Sequence, residues 1–134
     1  MIETGTEAEM EEDDEPLATA DRRRRNRRGQ FSEFTAAAFL MVKGYRILGR
    51  RWKSPVGEID LVAVRGKRIA FVEVKSRPTL ADAEASITPR QRSRVRRAAD
   101  HWLARHPRYQ EHEIGFDLVF LIPRRWPIHI ENGL

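Results

Sequence analysis

At 134 residues, 40% of them hydrophobic, the chain has material for one compact core and a tail, not for two domains. It has no cysteine, which excludes a disulfide framework, a thiolate nucleophile and a cysteine-based zinc site; its four histidines lack the spacing of a zinc-protease helix. The formal charge of +5 comes from 25 basic and 20 acidic residues, and no apolar run approaches the roughly 20 residues of a membrane span. With an acidic N-terminus unlike a secretory signal, a soluble cytoplasmic protein with no membrane partner is expected.

Charge divides the chain before any element does. Residues 1–21 carry nine acids and no base, without aromatics or periodicity, and read as a disordered acidic tail. Residues 22–134 then hold all 25 basic groups against 11 acids, a net of +14. A surface that basic suits a polyanion, and DNA is the leading partner. Residues 22–29, with six arginines between Arg22 and Arg28, read as an arginine-rich linker, and the folded domain is expected over 30–134.

Residues 30–43 are rich in alanine and aromatics without Gly or Pro, and Gly44 follows as a stop, which predicts a first helix. Being apolar on most sides, it is expected to be largely buried. Glu33, Ala36, Ala37 and Leu40 fall at i, i+3, i+4 and i+7, which sets the glutamate in line with an inward stripe. Tyr45 to Leu48 start a strand running toward Trp52, and Lys53 to Gly57 read as a loop. Two strand-like runs follow, Glu58 to Val64 and Arg68 to Arg77, and Gly66-Lys67 between them suits a two-residue hairpin turn.

That turn fixes a register in which Leu61 meets Val72, Val62 meets Phe71, Asp60 meets Glu73 and Glu58 meets Lys75. One face then carries Ile59, Leu61, Ala63, Ala70, Val72 and Val74 and is core. The other begins apolar near the turn and becomes wholly ionisable at its far end. Thr88-Pro89 opens a second helix with Ile87, Val95, Ala98, Ala99, Trp102 and Leu103 inward and arginines elsewhere. Glu113 to Ile122 alternates as a strand, and Ile128 to Ile130 is a short edge strand. The order αβββαββ predicts an α/β sandwich: an antiparallel meander, then a helical crossover to a parallel fourth strand.

The ionisable end of the hairpin carries the chemistry. Glu73 and Lys75, two apart on one strand, point the same way, and Asp60 lies across from Glu73 at a Cβ separation of roughly 5 Å. Two ionised carboxylates there repel by about 3 kcal/mol at an effective dielectric near 20. A shared proton, Lys75 or a divalent cation would offset this, and an oxygen-rich site favours Mg²⁺ or Mn²⁺. Such an ion beside a lysine on a basic domain suits phosphodiester hydrolysis. A cross-strand ion-pair cluster accounts for the same residues without chemistry.

Gly57-Glu58-Ile59-Asp60-Leu61-Val62-Ala63, followed by Phe71-Val72-Glu73-Val74-Lys75-Ser76-Arg77, resembles the YraN-like uncharacterised protein family (UPF 0102). That family is similar to the PD-(D/E)XK nucleases of the archaeal Holliday junction resolvase type. Glu33-x-x-Ala36-x-x-Phe39-Leu40-x-x-x-Gly44-Tyr45, Phe116-Asp117 and His129-Ile130 fit the same pattern. The resemblance implies a restriction-endonuclease-like sandwich and a Mg²⁺- or Mn²⁺-dependent DNA endonuclease acting on branched or recombination-intermediate DNA. It makes Asp60 and Glu73 the metal-binding acids, Lys75 the catalytic lysine and Glu33 an additional catalytic acid. Phosphate contacts are expected from Arg51, Arg77, Arg90, Gln91 and Arg94. Gln91 stands where many members have lysine, and Gly115 where an arginine often precedes Phe-Asp. Asp117 and His129 read as structural. Resolvase relatives act as dimers, and a homodimer through Trp126, Phe120 and the edge strand is the corresponding expectation. The competing functions are a non-catalytic nucleic-acid-binding module and a protein-interaction domain that docks an acidic partner.

Overall fold

The computed structural model describes residues 29 and 31–134. The chain divides between Phe31 and Ser32 into two units, and the fold below is that of Ser32–Leu134. The acidic tail and Arg22 to Arg28 lie outside the described residues. Among those described, no helix is long and apolar enough to cross a membrane.

The first helix, α1, covers residues 31–42, and Gly44, at φ +97°, follows its end. Ala36, Ala37 and Leu40 are buried, the stripe that the spacing predicts. The expectation that α1 is buried on most sides is corrected: Phe34, Met41 and Val42 are exposed. A single helix laid on one face of a sheet buries one stripe, however apolar its remaining sides.

Five strands form one sheet in the spatial order of the sequence: β1 (Arg46–Ser54), β2 (Gly57–Arg65), β3 (Arg68–Ser76), β4 (Glu113–Leu121) and β5 (Ile128–Ile130). All neighbours are antiparallel except β3 and β4, which run parallel. A parallel joint needs a crossover, and α3 (Pro89–Ala104) supplies it, preceded by a short α2 (Leu80–Ala85). The mixed α/β sandwich is the expected one, with α2 added. Six residues are too few for a periodic signal, so α2 left only Thr79 to read, whose hydroxyl accepts the Asp82 N–H. At the start of α3, Thr88 and Gln91 form a reciprocal capping box ahead of the predicted apolar stripe.

Each face of the sheet has its own core. On one, Ala36, Ala37, Leu40 and Tyr45 pack on Leu61, Ala63, Ala70, Val72 and Val119. On the other, Val95, Ala98, Ala99, Trp102 and Leu103 pack on Val62, Val64, Ile69, Phe71, Leu118 and Phe120. The hairpin register from Leu61↔Val72 to Arg65↔Arg68 is the one that the turn dictates, with Gly66 at φ +60°.

Ile59 is the correction. It joins Val62 and Val64 in the α3 core, while Leu61 faces α1, so the alternation of β2 reverses between 59 and 61. The partner strand reverses at the same step. Arg50, opposite Leu61, lies over the ring of Phe34 on α1, whereas Trp52, opposite Ile59, packs in the α3 core. Between them Arg51 takes φ +53°. A non-glycine residue in that left-handed region costs about 1–2 kcal/mol, and here it breaks the two-residue repeat directly across from Asp60.

The loop expected from Lys53 to Gly57 is shorter, because β1 runs to Ser54 and β2 starts at Gly57. The Ser54 hydroxyl accepts the Val56 N–H and donates to the Gly57 carbonyl. A Cβ on Gly57 would stand 2.7 Å from the Arg94 carbonyl oxygen. Glycine therefore lets the start of β2 touch the backbone of α3.

Asp117 is fully buried and structural, as expected. Arg68 donates to both its oxygens at 2.8 Å, with His129 Nε2 at 2.8 Å and the Asn132 N–H at 2.9 Å completing the set. Burial alone would raise its pKa; these partners outweigh that and hold the carboxyl well below its ordinary range. His129 is fixed between Asp117 and Lys43. A side chain at Gly115 would collide with the Arg68 guanidinium, so glycine there leaves room for the Arg68–Asp117 pair. Phe120, expected in an exposed apolar patch, is instead in the α3 core, because its strand is flanked by β3 and β5 and covered by the helix. Trp126 is exposed.

Candidate active site

The cleft lies at the end of the sheet where β2 begins and β3 ends. β3 brings Glu73 and Lys75, and Lys75 Nζ stands 3.3 Å from Glu73 Oε2 with the lysine only 9% exposed. β2 brings Asp60, whose Oδ2 accepts the Val74 N–H at 2.8 Å. This bond replaces the expected side-by-side pairs of Asp60 with Glu73 and Glu58 with Lys75. The regular β2–β3 ladder runs from Arg65↔Arg68 to Leu61↔Val72, and beyond it the carboxylate takes an N–H that a strand carbonyl would otherwise accept. The matched reversals at Arg51 and Ile59 put Asp60 outside the simple pleat and make that contact available.

α1 adds Glu33. Its Oε1 is a buried oxygen with no hydrogen-bond partner among the described residues, and Arg51 Nε faces it at 3.6 Å, an ion-pair distance. α3 adds Gln91, Arg94 and Val95, which with Glu58, Asp60 and Glu73 line an open cleft of about 210 Å³. Among the described residues, no three His, Asp or Glu side chains are grouped closely enough to hold an ion by themselves.

Three carboxyls here are uneasy as anions. Burial, then repulsion from Glu73, pushes Asp60 up to about 7 against the Val74 hydrogen bond. Burial also raises Glu73, with Lys75 pulling the other way, and raises Glu33 against Arg51 and Arg50. Glu58 is exposed and adds repulsion to both glutamates.

Of the residues expected on phosphate, Arg94 and Gln91 line the cleft, although the Gln91 side-chain Oε1 also accepts the Thr88 N–H. Arg51 turns toward Glu33. Arg77 follows β3 and donates to the Ser76 carbonyl, and Arg90 is exposed on the first turn of α3; neither lines the cleft. Sequence reasoning missed the backbone role of Arg51 and the contact of Gly57 with α3. Only the second had a signal, a glycine set between a turn proline and an acidic strand.

Fold and site together define an α/β protein with a carboxylate–lysine cleft at one end of a mixed sheet. The chain belongs to the uncharacterised protein family UPF0102, which it matches over residues 32–121, from α1 to the end of β4. It is 49% identical to a UPF0102 protein of Chelativorans sp. (strain BNC1), over 86% of this chain and 93% of the relative. A UPF0102 protein of Rhodopseudomonas palustris (strain BisB5) is 53% identical over 76% of this chain and 78% of its own. One of Methylorubrum extorquens (strain PA1) is 51% identical over 85% and 89%.

Proposed function

We propose that the protein is a Mg²⁺- or Mn²⁺-dependent endonuclease that hydrolyses phosphodiester bonds of DNA at this cleft, with branched DNA as the substrate class. One observation carries the reading: Asp60, Glu73 and Lys75 converge at one sheet end beside Arg94, although burial and mutual repulsion destabilise both acids as anions. A fold that only needed stability would gain by neutral residues there.

The residues fit a hard divalent ion. The donors are carboxylate oxygens, the buried Glu33 Oε1 lacks a hydrogen-bond donor among the described residues, and a cation would relieve the repulsion between Asp60 and Glu73. Mg²⁺ keeps several waters and takes one or two protein carboxylates plus phosphate oxygens, so a third protein ligand is not required. Asp60 and Glu73 would hold it, with Glu33 as the additional acid nearby. When bound, such an ion polarises phosphate and lowers the pKa of water.

The chain's own residues do the rest. The Val74 N–H fixes the orientation of the Asp60 carboxylate. Arg94 and Gln91 receive phosphate oxygens at the cleft wall. Lys75, held in place by Glu73, faces the negative charge that grows as water's oxygen bonds to phosphorus and the P–O bond breaks. The net +14 of residues 22–134 supplies affinity without reading sequence.

The test is purified protein against linear, flapped and four-way DNA, with Mg²⁺, Mn²⁺ or EDTA, beside Glu73→Ala and Lys75→Ala. Ion-dependent cutting by the wild type, reduced at least about hundredfold in either variant, is the expected result. Steeply salt-dependent binding with no cutting under either ion would leave a non-catalytic DNA-binding module. Neither binding nor cutting would point to an acidic protein partner.

A further inference from the structure

One exposed side chain at the cleft end of the sheet has no packing role. Trp126 is 85% exposed in the turn Pro123-Arg124-Arg125-Trp126-Pro127. The other two tryptophans, Trp52 and Trp102, pack in the α3 core. The turn is stiff: Arg124 sits at φ +65°, the Arg125 N–H donates to the Ile122 carbonyl at 3.2 Å, and each proline fixes its own φ. Arg124 and Arg125 are exposed, and no acidic residue occurs from Leu118 through Ile130.

The sheet register places this turn. Lys75 is level with Phe120 and Ser76 with Leu121 across the parallel pair, and the Arg77 N–H donates to the Leu121 carbonyl at 3.2 Å. The chain enters the turn directly after Leu121 and returns as β5, so Trp126 rises from the same sheet end as Glu73 and Lys75. β5 lies two strands from β3, roughly 10 Å. The turn also falls outside the span matched by the family, residues 32–121.

We propose that Trp126 is a stacking platform for an unpaired base of the DNA bound at the cleft, with Arg124 and Arg125 on the flanking phosphates; this rests on the endonuclease reading and deepens it. An indole accepts any base on its face, and the arginines supply the backbone contacts that stacking lacks. A fully paired duplex keeps its bases stacked inside, so the platform selects flaps, gaps and junctions. A symmetric contact with a second copy would bring the arginine pairs of two basic domains together, which charge disfavours.

The test uses the full chain, as wild type, Trp126→Ala and Trp126→Phe, in EDTA so that binding alone is read. Affinities are measured by fluorescence anisotropy for a flapped substrate and for a fully paired duplex of equal length. Trp126→Ala is expected to lose about five- to hundredfold on the flap and less than about twofold on the duplex, with Trp126→Phe retaining most of the preference. Equal losses on both substrates, or no loss, overturn the proposal. So does a wild-type dimer in sedimentation that Trp126→Ala converts to monomer with the flap preference unchanged. Cutting with Mg²⁺ separates the two readings: cutting without a flap preference removes the platform alone, and a flap preference without cutting removes the endonuclease alone.

Discussion

Two aspartates in this domain, Asp117 buried and Asp60 half-buried, do opposite things, and their partners explain why. Asp117 is satisfied on both oxygens by Arg68, His129 and the Asn132 N–H, so its charge belongs to the fold. Among the described residues Asp60 receives a single N–H, from Val74, and it is repelled by Glu73 and Glu33. The same change, Asp to Asn, therefore has opposite signs at the two sites. Asp117→Asn leaves Arg68 without its counter-charge and is expected to cost about 3–5 kcal/mol in a urea melt. In Asp60→Asn the amide oxygen still accepts the Val74 N–H while the repulsion disappears. In EDTA this variant should melt several degrees above wild type near pH 7.5. A lower melting temperature would show that the ionised acid is not a burden to the fold.

At the scale of elements, how much was legible depends on what set each feature. The hairpin register was legible because a two-residue turn leaves no freedom of phase, and Glu73 and Lys75 followed from it. The position of Asp60 was legible and its pairing was not. Strand alternation holds only while every residue is extended, and nothing in the letter of Arg51 announces φ +53°. The bare apolar flank of α1 was unreadable for another reason, since composition does not say how many neighbours a helix will have. The reversal can be tested by separating backbone from charge. Arg51→Gly and Arg51→Val both remove the guanidinium beside Glu33, but only valine opposes a left-handed φ. Valine is expected to cost at least about 1–2 kcal/mol more than glycine in denaturant unfolding. Equal stabilities would mean that the strand can flatten at no cost, leaving Asp60 without its special position.

For the whole molecule, pH sets the two kinds of carboxyl against each other. Asp117 titrates in the fold well below its unfolded range, so its contribution is complete above about pH 4 and is lost as pH falls. Asp60 is raised from 3.8 to about 7, so between those values the folded state holds a proton that the unfolded chain has released. Stability from that group is full at acid pH and drains away as pH rises toward 7, and Glu73 and Glu33 act in the same direction. Melting temperatures in EDTA should therefore peak in mild acid and decline toward neutrality. A divalent ion binds the ionised carboxylates, so millimolar Mg²⁺ should flatten the decline at pH 7 and have little effect near pH 4.5. In Asp60→Asn both the decline and the Mg²⁺ response should shrink. If the wild-type curve in EDTA instead rises steadily from pH 5 to 7.5, the acids are not paired in a shared low-dielectric cleft, and the basis for placing an ion between them is gone.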